Sequence, residues 1–435
     1  MFTVRIIFAF VLASAAVNAE IHSLTLKQAL ELAARQNPDV TLARLDQQRA
    51  EQGINVALDP FRPKVYAGSG LAYTYGYPNS IEGNAPSIFE VRTDMSIYNR
   101  AQSYTLASAR ETARGMQSGA QAKAEDVAYQ AADLFLTASE LEHDDAQLTA
   151  QLPSLQKVVE VMGASVNEGS ELPVELTRAR VNLQSAQVRL DSGKLDSDYY
   201  EMMLAIALGY PATDRVKPVD SENTDLLIPA SENDAADSAL RNNRELRHMQ
   251  SDVLAKQLDL RSYRAARLPK VDLVAQYSLF AKYNYEQYFQ KFRRNNFQLG
   301  ASVTLPIFVG TAVKGYAAQA LTDMQKIRIQ MDQVRNRIIS ETRRSYEQWQ
   351  KSEKLRDLAR AQLDLARQDL TVLLAQNGEG RVPLSRVEQA RLEESNRWIA
   401  MYDAETQVTR AKIAILRQTG TLLATLRNTS ASSAP

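Results

Sequence analysis

Between residues 127 and 166 apolar side chains return at every seventh position. Val127, Leu134, Leu141, Leu148, Leu155 and Met162 form one series, and Ala131, Ala138, Asp145, Leu152, Val159 and Val166 form its companion. A 3-4 spacing of this kind is a coiled-coil seam, and it predicts one continuous helix from about 100 to 166. A second seam, Val174, Val181, Val188, Leu195 and Met202, lies beyond a turn that holds Gly169. It predicts a partner helix ending near Gly209, antiparallel to the first and packed on it through that seam. At ~1.5 Å rise per residue the longer helix spans about 100 Å, which suits a rod or tube wall better than a globular core.

The period changes to two in four other stretches. Residues 62–77, "RPKVYAGSGLAYTYGY", place Val65, Ala67, Ser69, Leu71, Tyr73, Tyr75 and Tyr77 on one face, with mostly small residues opposite. Residues 87–99 set Phe89, Val91, Thr93, Met95 and Ile97 against Glu90, Arg92, Asp94 and Ser96. From 269 to 284, Val271, Leu273, Ala275, Tyr277 and Leu279 alternate with Asp272, Gln276 and Ser278. From 295 to 309, Phe297, Leu299, Ala301, Val303 and Leu305 alternate with Asn296, Gln298, Ser302 and Thr304. Each run is roughly 13–16 residues, where ~9–11 cross a bilayer when tilted. Two architectures fit: an amphipathic soluble sheet laid on the helices, or barrel strands, which the run lengths and the tyrosines near 77–87 favour. The smallest bacterial barrels have about eight strands, so four require several chains and hence a ring-shaped homo-oligomer.

The helical and strand patterns occur twice. "PKV" at 63–65 recurs at 269–271 and "NPDV" at 37–40 aligns with "NREL" at 243–246, both at an offset of 206. Tyr98 with Phe308 and Pro173 with Pro383 are offset by 210, and Ala179 with Ala390 and Gly209 with Gly420 by 211. The drift is monotonic, as a tandem duplication requires. The expected organisation is a leader at 1–19, a first repeat at 20–210, a Pro- and acid-containing linker at 211–231, a second repeat at 232–427 and a disordered tail at 428–435. Within each repeat a short helix opens the unit ("LTLKQALELAARQ" in the first). Asn37 then caps a second helix whose first residue is Pro38, the favoured residue types for those places.

Composition narrows the function classes. The 435 residues carry 51 basic and 51 acidic side chains, so global charge favours neither nucleic acid nor an acidic partner. There is no cysteine, which removes disulfides, thiolate metal sites and a cysteine nucleophile. The opening "MFTVRIIFAFVLASAAVNAE" has Arg5, an apolar run too short to span a bilayer and a small-x-small ending, Val17-Asn18-Ala19. It reads as a cleaved secretory signal, and with no cysteine after it the expected product is not a lipoprotein. Beyond Glu20 no uncharged apolar stretch approaches 18 residues, so any membrane span must be made of strands.

In order and spacing the chain resembles the TolC-like outer-membrane efflux proteins. The carrying residues are "LTLKQALELAARQNPDV", "FRPKV" and its copy "RLPKV", "TLPIFVG" at 304–310, and the turns before "ELTRAR" and "RVEQAR". The resemblance implies a mainly α fold with a shared β-barrel: duplicated long antiparallel coiled-coil helices form a periplasmic tube. Four strands per chain then contribute to a trimeric, twelve-stranded barrel in the outer membrane. It implies a homotrimer in contact with outer-membrane lipid, a periplasmic adaptor protein and an inner-membrane pump, with no cofactor. The tube in such proteins closes at the helical turns. By motif match Glu175, Arg381 and Glu388 stand there, while Gln376 and Ser385 replace an aromatic and an acid often found. The polar strand faces, with Glu90, Arg92, Asp94, Asp272, Gln276 and Gln298, are then the barrel lumen.

Two other patterns suggest chemistry. Glu140-x-x-His143 has a spacing used in ferritin-like metal sites, but such sites need two copies and further carboxylates, so no metal is expected. "KYNYEQYFQKFRR" at 282–294 mixes bases with aromatics. Without a basic domain or binding motif it fits a barrel rim, with Lys282, Lys291, Arg293 and Arg294 near lipid headgroups, better than nucleic acid. With three histidines and no HExxH, GxSxG or P-loop, no catalytic machinery is visible. The reading is a passive exit duct for toxic small compounds or for type I secretion. The alternative is a periplasmic structural or adaptor coiled-coil protein without a pore.

Overall fold

The computed structural model describes residues 20–70, 87–219, 226–281 and 293–428. The expected leader, the tyrosine-rich end of the first strand, Lys282, Lys291 and all of the tail beyond residue 428 lie outside the described residues.

The same element order is written twice. In the first half a strand β1 (Ile21–Leu24) leads to helices α1 (Leu26–Gln36) and α2 (Pro38–Leu58). Strands β2 (Lys64–Gly68) and β3 (Ser87–Tyr98) follow, and then helices α3 (Arg100–Asn167) and α4 (Pro173–Ala207). In the second half come β4 (Arg215–Pro218), α5 (Glu232–Asn242), α6 (Arg244–Ala265), β5 (Lys270–Phe280), β6 (Asn295–Thr304), α7 (Ala312–Gly378) and α8 (Leu384–Gln418), with a short α9 (Leu422–Asn428) at the end. The helix starts follow local chemistry. Thr25 and Gln28 form a reciprocal capping box at α1. Asn37 Oδ1 accepts from the Asp39 amide at α2 (2.8 Å), and Asn243 Oδ1 accepts from the Leu246 amide at α6 (3.0 Å). The stretch read as an inter-repeat linker contains β4, which pairs in parallel with β1 from Ile21–Arg215 to Leu24–Pro218.

Contacts group the chain into two compact units that cut across the sequence halves. One holds residues up to 41, 123–242 and from 338 onward, and the other holds 42–122 and 243–337. In the first unit Leu30, Val127, Ala131, Leu204, Leu208, Ile413, Leu416 and Leu422 form a core that excludes water almost completely. Helix ends are packed backbone to backbone here: Gly209, in a left-handed conformation (φ +89), lies so close to the Gln36 carbonyl that an added Cβ would sit 2.8 Å from its oxygen. Gly420 (φ +65) repeats the arrangement against Asn242.

Within this unit the long helices run in the order α4, α3, α8, α7. Gly193 of α4 meets Asp145 of α3. Ser139 of α3 hydrogen-bonds with Tyr402 of α8 (2.9 Å), and Arg397 of α8 donates to Gln362 of α7 (2.9 Å). The α3 seam is used as the spacing predicts, with Val127, Leu148, Leu155 and Met162 buried. The α4 seam is not. Val174, Val181, Val188 and Leu195 are exposed, the last two at 61% and 72%, and α4 buries Ala179, Ala186 and Leu190 instead. Small residues and Gly193 let α4 approach α3 closely, which leaves the branched stripe roughly 140° away around the helix.

The second unit carries an antiparallel sheet in the order β2-β3-β5-β6. The two halves of the chain meet at β3 and β5, in the register Glu90–Ser278, Arg92–Gln276 and Met95–Leu273. Beside the sheet, Ser108 Oγ of α3 donates to the Ala255 carbonyl of α6 (3.1 Å), and Gln102 donates to the Ala57 carbonyl of α2 (3.0 Å).

Candidate functional site

Residues opposite one another in a ladder share a face, so the register assigns both faces of the sheet. Lys64, Tyr66 and Gly68 pair with Asp94, Arg92 and Glu90. Arg92 pairs with Gln276, which in turn pairs with Gln298, and Ser96 and Asp272 pair with each other beside Ser302. Glu90, Arg92, Asp94, Asp272, Gln276 and Gln298 therefore lie on one face, the set expected to be polar. They interact along it: Gln276 Nε2 donates to Glu90 Oε1 (2.8 Å), Arg92 Nε to Asp94 Oδ1 (3.0 Å), and Ser96 Oγ to Asp272. The opposite face carries Phe89, Val91, Leu273, Tyr277, Phe297, Leu299 and Val303. Phe297, Leu299 and Val303 are exposed by 66–69%. β2 and β6 form the sheet's edges.

At the other candidate site, two helix pairs turn. Gly169 (φ +72) closes the α3–α4 turn and Gly380 (φ +69) the α7–α8 turn, with no atom near where a side chain would project. Glu175, Ser385 and Glu388 come together along an open groove between α3, α4 and α8, whose apolar side includes Leu155 and Met162. Their ionic partners are local. Glu175 takes both oxygens to Arg178 (2.7 and 2.8 Å), one helical turn on. Glu388, nearly buried, accepts from Ser154 Oγ of α3 and pairs with Arg391 (3.4 Å). Among the described residues Arg381 pairs with Glu379 of its own turn alone (3.0 Å), and it is three-quarters exposed. Gln376 supplies a carbonyl to the Arg381 amide (2.9 Å) and is half-buried. Within one chain the turn residues thus split into a grouped set (Glu175, Ser385, Glu388) and an exposed turn bearing Arg381.

Sequence reasoning missed the polar layer farther along α3. Glu140 binds Arg410 of α8 (3.2 Å), which also meets Asp133 (2.7 Å) and Thr137 (3.0 Å). His143 Nδ1 donates to the Ser139 carbonyl (3.0 Å), and its ring stacks on Tyr402 at 3.8 Å. The two side chains of the Glu-x-x-His pattern are thus committed to helix packing. Burial, then the nearby Asp403 and Glu140 charges, push the Asp144 carboxyl up to about 6 against the opposing Arg189. Burial likewise raises Glu140 and Asp403, against the pull of Arg410. The available signal was Asp145, an acid at a seam position otherwise held by alanine, leucine and valine.

The fold has counterparts among known proteins. Residues 235–421 match the model of the outer membrane efflux protein family. No curated protein matches the chain by sequence. Among solved structures the chain is similar to the CmeC outer membrane channel of Campylobacter jejuni, with TM-score 0.73 and 14% identity over 91% of this chain and 86% of that one. It is similar to CusC (TM-score 0.72, 14% identity, 93% and 95% covered). The outer membrane protein VceC of Vibrio cholerae is also similar (0.69, 14%, 91% and 96%). Over residues 235–421 the chain is thus similar to the outer membrane efflux protein family, and as a whole it shares the fold of the CmeC, CusC and VceC structures.

Proposed function

We propose that the protein is a passive exit duct of the outer membrane, working in efflux or secretion as the last conduit for cargo that other components energise. The observation that carries this is the four-stranded sheet. Among the described residues it is polar on one face, apolar and solvent-exposed on the other, and open at both edges. In water such a sheet would expose a large apolar surface and two unsatisfied ladders, both of which favour association. In a bilayer the same features are satisfied if the apolar face meets lipid, the polar face lines water and the edges pair with other copies. Strand direction alternates across the sheet, so β6 of one copy and β2 of the next would meet antiparallel and closure would need no irregular pairing.

A homotrimer, giving twelve strands, is supported by the helical unit. Its outer helices α4 and α7 carry exposed heptad stripes, Val174, Val181, Val188 and Leu195 on one and Leu358, Leu365 and Val372 on the other. Two such stripes on opposite edges of the four-helix layer are complementary surfaces for a closed ring. In that ring Glu90, Arg92, Asp94, Asp272, Gln276 and Gln298 line the lumen, and the turns with Gln376, Arg381, Glu175, Ser385 and Glu388 form a constriction. Arg381, paired among the described residues with Glu379 of its own turn and three-quarters exposed, is available to a carboxylate of a neighbouring copy. A periplasmic adaptor and an inner-membrane pump would supply gating and energy, the protein itself performing no chemistry.

The test is single-channel conductance of the detergent-extracted oligomer in a planar bilayer. Small steady currents that rise in Arg381→Ala are expected. Folded oligomer that forms no channel would overturn the duct.

A further inference from the structure

The register sets the starts of β2 and β5 and the ends of β3 and β6 at one end of the sheet, since Lys64 pairs with Asp94, Lys270 with Thr304 and Tyr98 with Val271. All four strand–helix junctions therefore gather there. Their segments, 59–66, 98–104, 263–272 and 305–316, contain seven basic and two acidic residues, although the chain as a whole carries 51 of each. Both acids are already engaged, Asp59 by Lys64 and Asp272 by Lys270. Arg264, Arg267 and Lys314 are exposed and, among the described residues, make no ion pair.

Apolar and aromatic side chains are interleaved with these cations. Leu305, Ile307 and Phe308 are 60%, 97% and 84% exposed, and Leu305 and Ile307 continue the alternation of β6. Tyr263 and Tyr316 stack at 5.5 Å where α6 and α7 leave the sheet. Nothing in the packing of a soluble unit requires a phenylalanine and an isoleucine almost wholly in water beside unpaired cations. A lipid–water boundary requires both: aromatic rings at headgroup level, apolar side chains among acyl tails and cations on phosphates. Charge complementarity favours an anionic lipid over a zwitterionic one.

We propose that this end of the sheet is a binding site for anionic phospholipid, with Arg264, Arg267 and Lys314 engaging the headgroup phosphate and Leu305, Ile307 and Phe308 seated in the acyl region. The inference rests on the sheet being a barrel wall. It assigns lipid selectivity to the strand–helix junctions, at the opposite end from the loop that includes Arg293 and Arg294.

Native mass spectrometry of the detergent-released oligomer tests it, by titration with phosphatidylglycerol and, separately, phosphatidylcholine of the same chains. Phosphatidylglycerol should bind at least tenfold more tightly, and the preference should fall with added salt. It should weaken by about fivefold per neutralised charge in Arg264→Gln/Arg267→Gln/Lys314→Gln, following the ~1 kcal/mol typical of a cation near an anionic surface. Neutralising Lys157, Arg180 and Arg360 in the helical unit should leave it unchanged. Equal binding of the two lipids, or an unaltered preference in the junction variant, overturns the site. Conductance in neutral phosphatidylcholine bilayers separates the two readings. Channels without lipid preference sink this proposal alone, whereas wild-type protein that is folded and oligomeric but forms no channel sinks the duct.

Discussion

At the scale of single residues, backbone and packing together dictate glycine where helix ends meet, whereas at the turns the backbone alone favours it. Gly209 combines a left-handed φ with a carbonyl 2.8 Å from any added Cβ, whereas Gly169 and Gly380 share the conformation but face open space. Gly209→Ala should therefore cost about 2–4 kcal/mol, and Gly169→Ala or Gly380→Ala about 1 kcal/mol, read as thermal unfolding in detergent. Asp144 gives a pH dependence. Its native carboxyl titrates at about 6 rather than at the ordinary 3.8, so the folded state binds the proton more tightly. Stability must then fall as pH rises through about 4–6 and stay at its lower value above that window. It faces Glu140 and Asp145 on its own helix, Asp403 on α8 and Arg189 on α4. Asp144→Asn should raise the melting temperature at pH 7.5, by the equivalent of about 1 kcal/mol after solvent screening, and flatten the slope between pH 4 and 6.

At the scale of elements, period and caps made most of the chain legible in advance. The heptads of α3, the Asn37–Pro38 start of α2 and the two-residue alternation of β3, β5 and β6 each reflect a local rule that packing did not override. The polar strand face was legible for the same reason: a period of two leaves no other side for Glu90, Arg92 and Gln276. What could not be read was which helix each stripe would meet. Val174, Val181, Val188 and Leu195 have the spacing of a seam toward α3, yet Ala179, Ala186 and Gly193 allow a closer approach and take that place. Nor does spacing foretell partners distant in sequence, such as Ser154 with Glu388 or Arg410 with Glu140. The displaced stripe carries a consequence. Val188→Glu, at a position 61% exposed in the single chain, should leave helicity by circular dichroism unchanged but dissociate the oligomer in size-exclusion chromatography with light scattering. A variant that stays fully oligomeric would show that the stripe has no partner chain.

At the scale of the whole molecule, an outer-membrane pore requires that the sheet be a fraction of a closed barrel. The absence of cysteine makes this directly testable, because any disulfide must come from introduced residues. Tyr66 lies on the polar face of β2, an edge strand, and Gln298, Gly300 and Ser302 share that face on β6, the other edge. A cysteine at Tyr66 combined with one at each β6 position in turn, oxidised in the intact membrane, reports whether these edges come within the ~4.4–6.8 Å Cα separation that a disulfide needs. In a closed three-chain barrel one register yields a covalent trimer, with dimer at partial oxidation and no larger species. Monomer alone in every register, or a ladder extending beyond trimer, would contradict it.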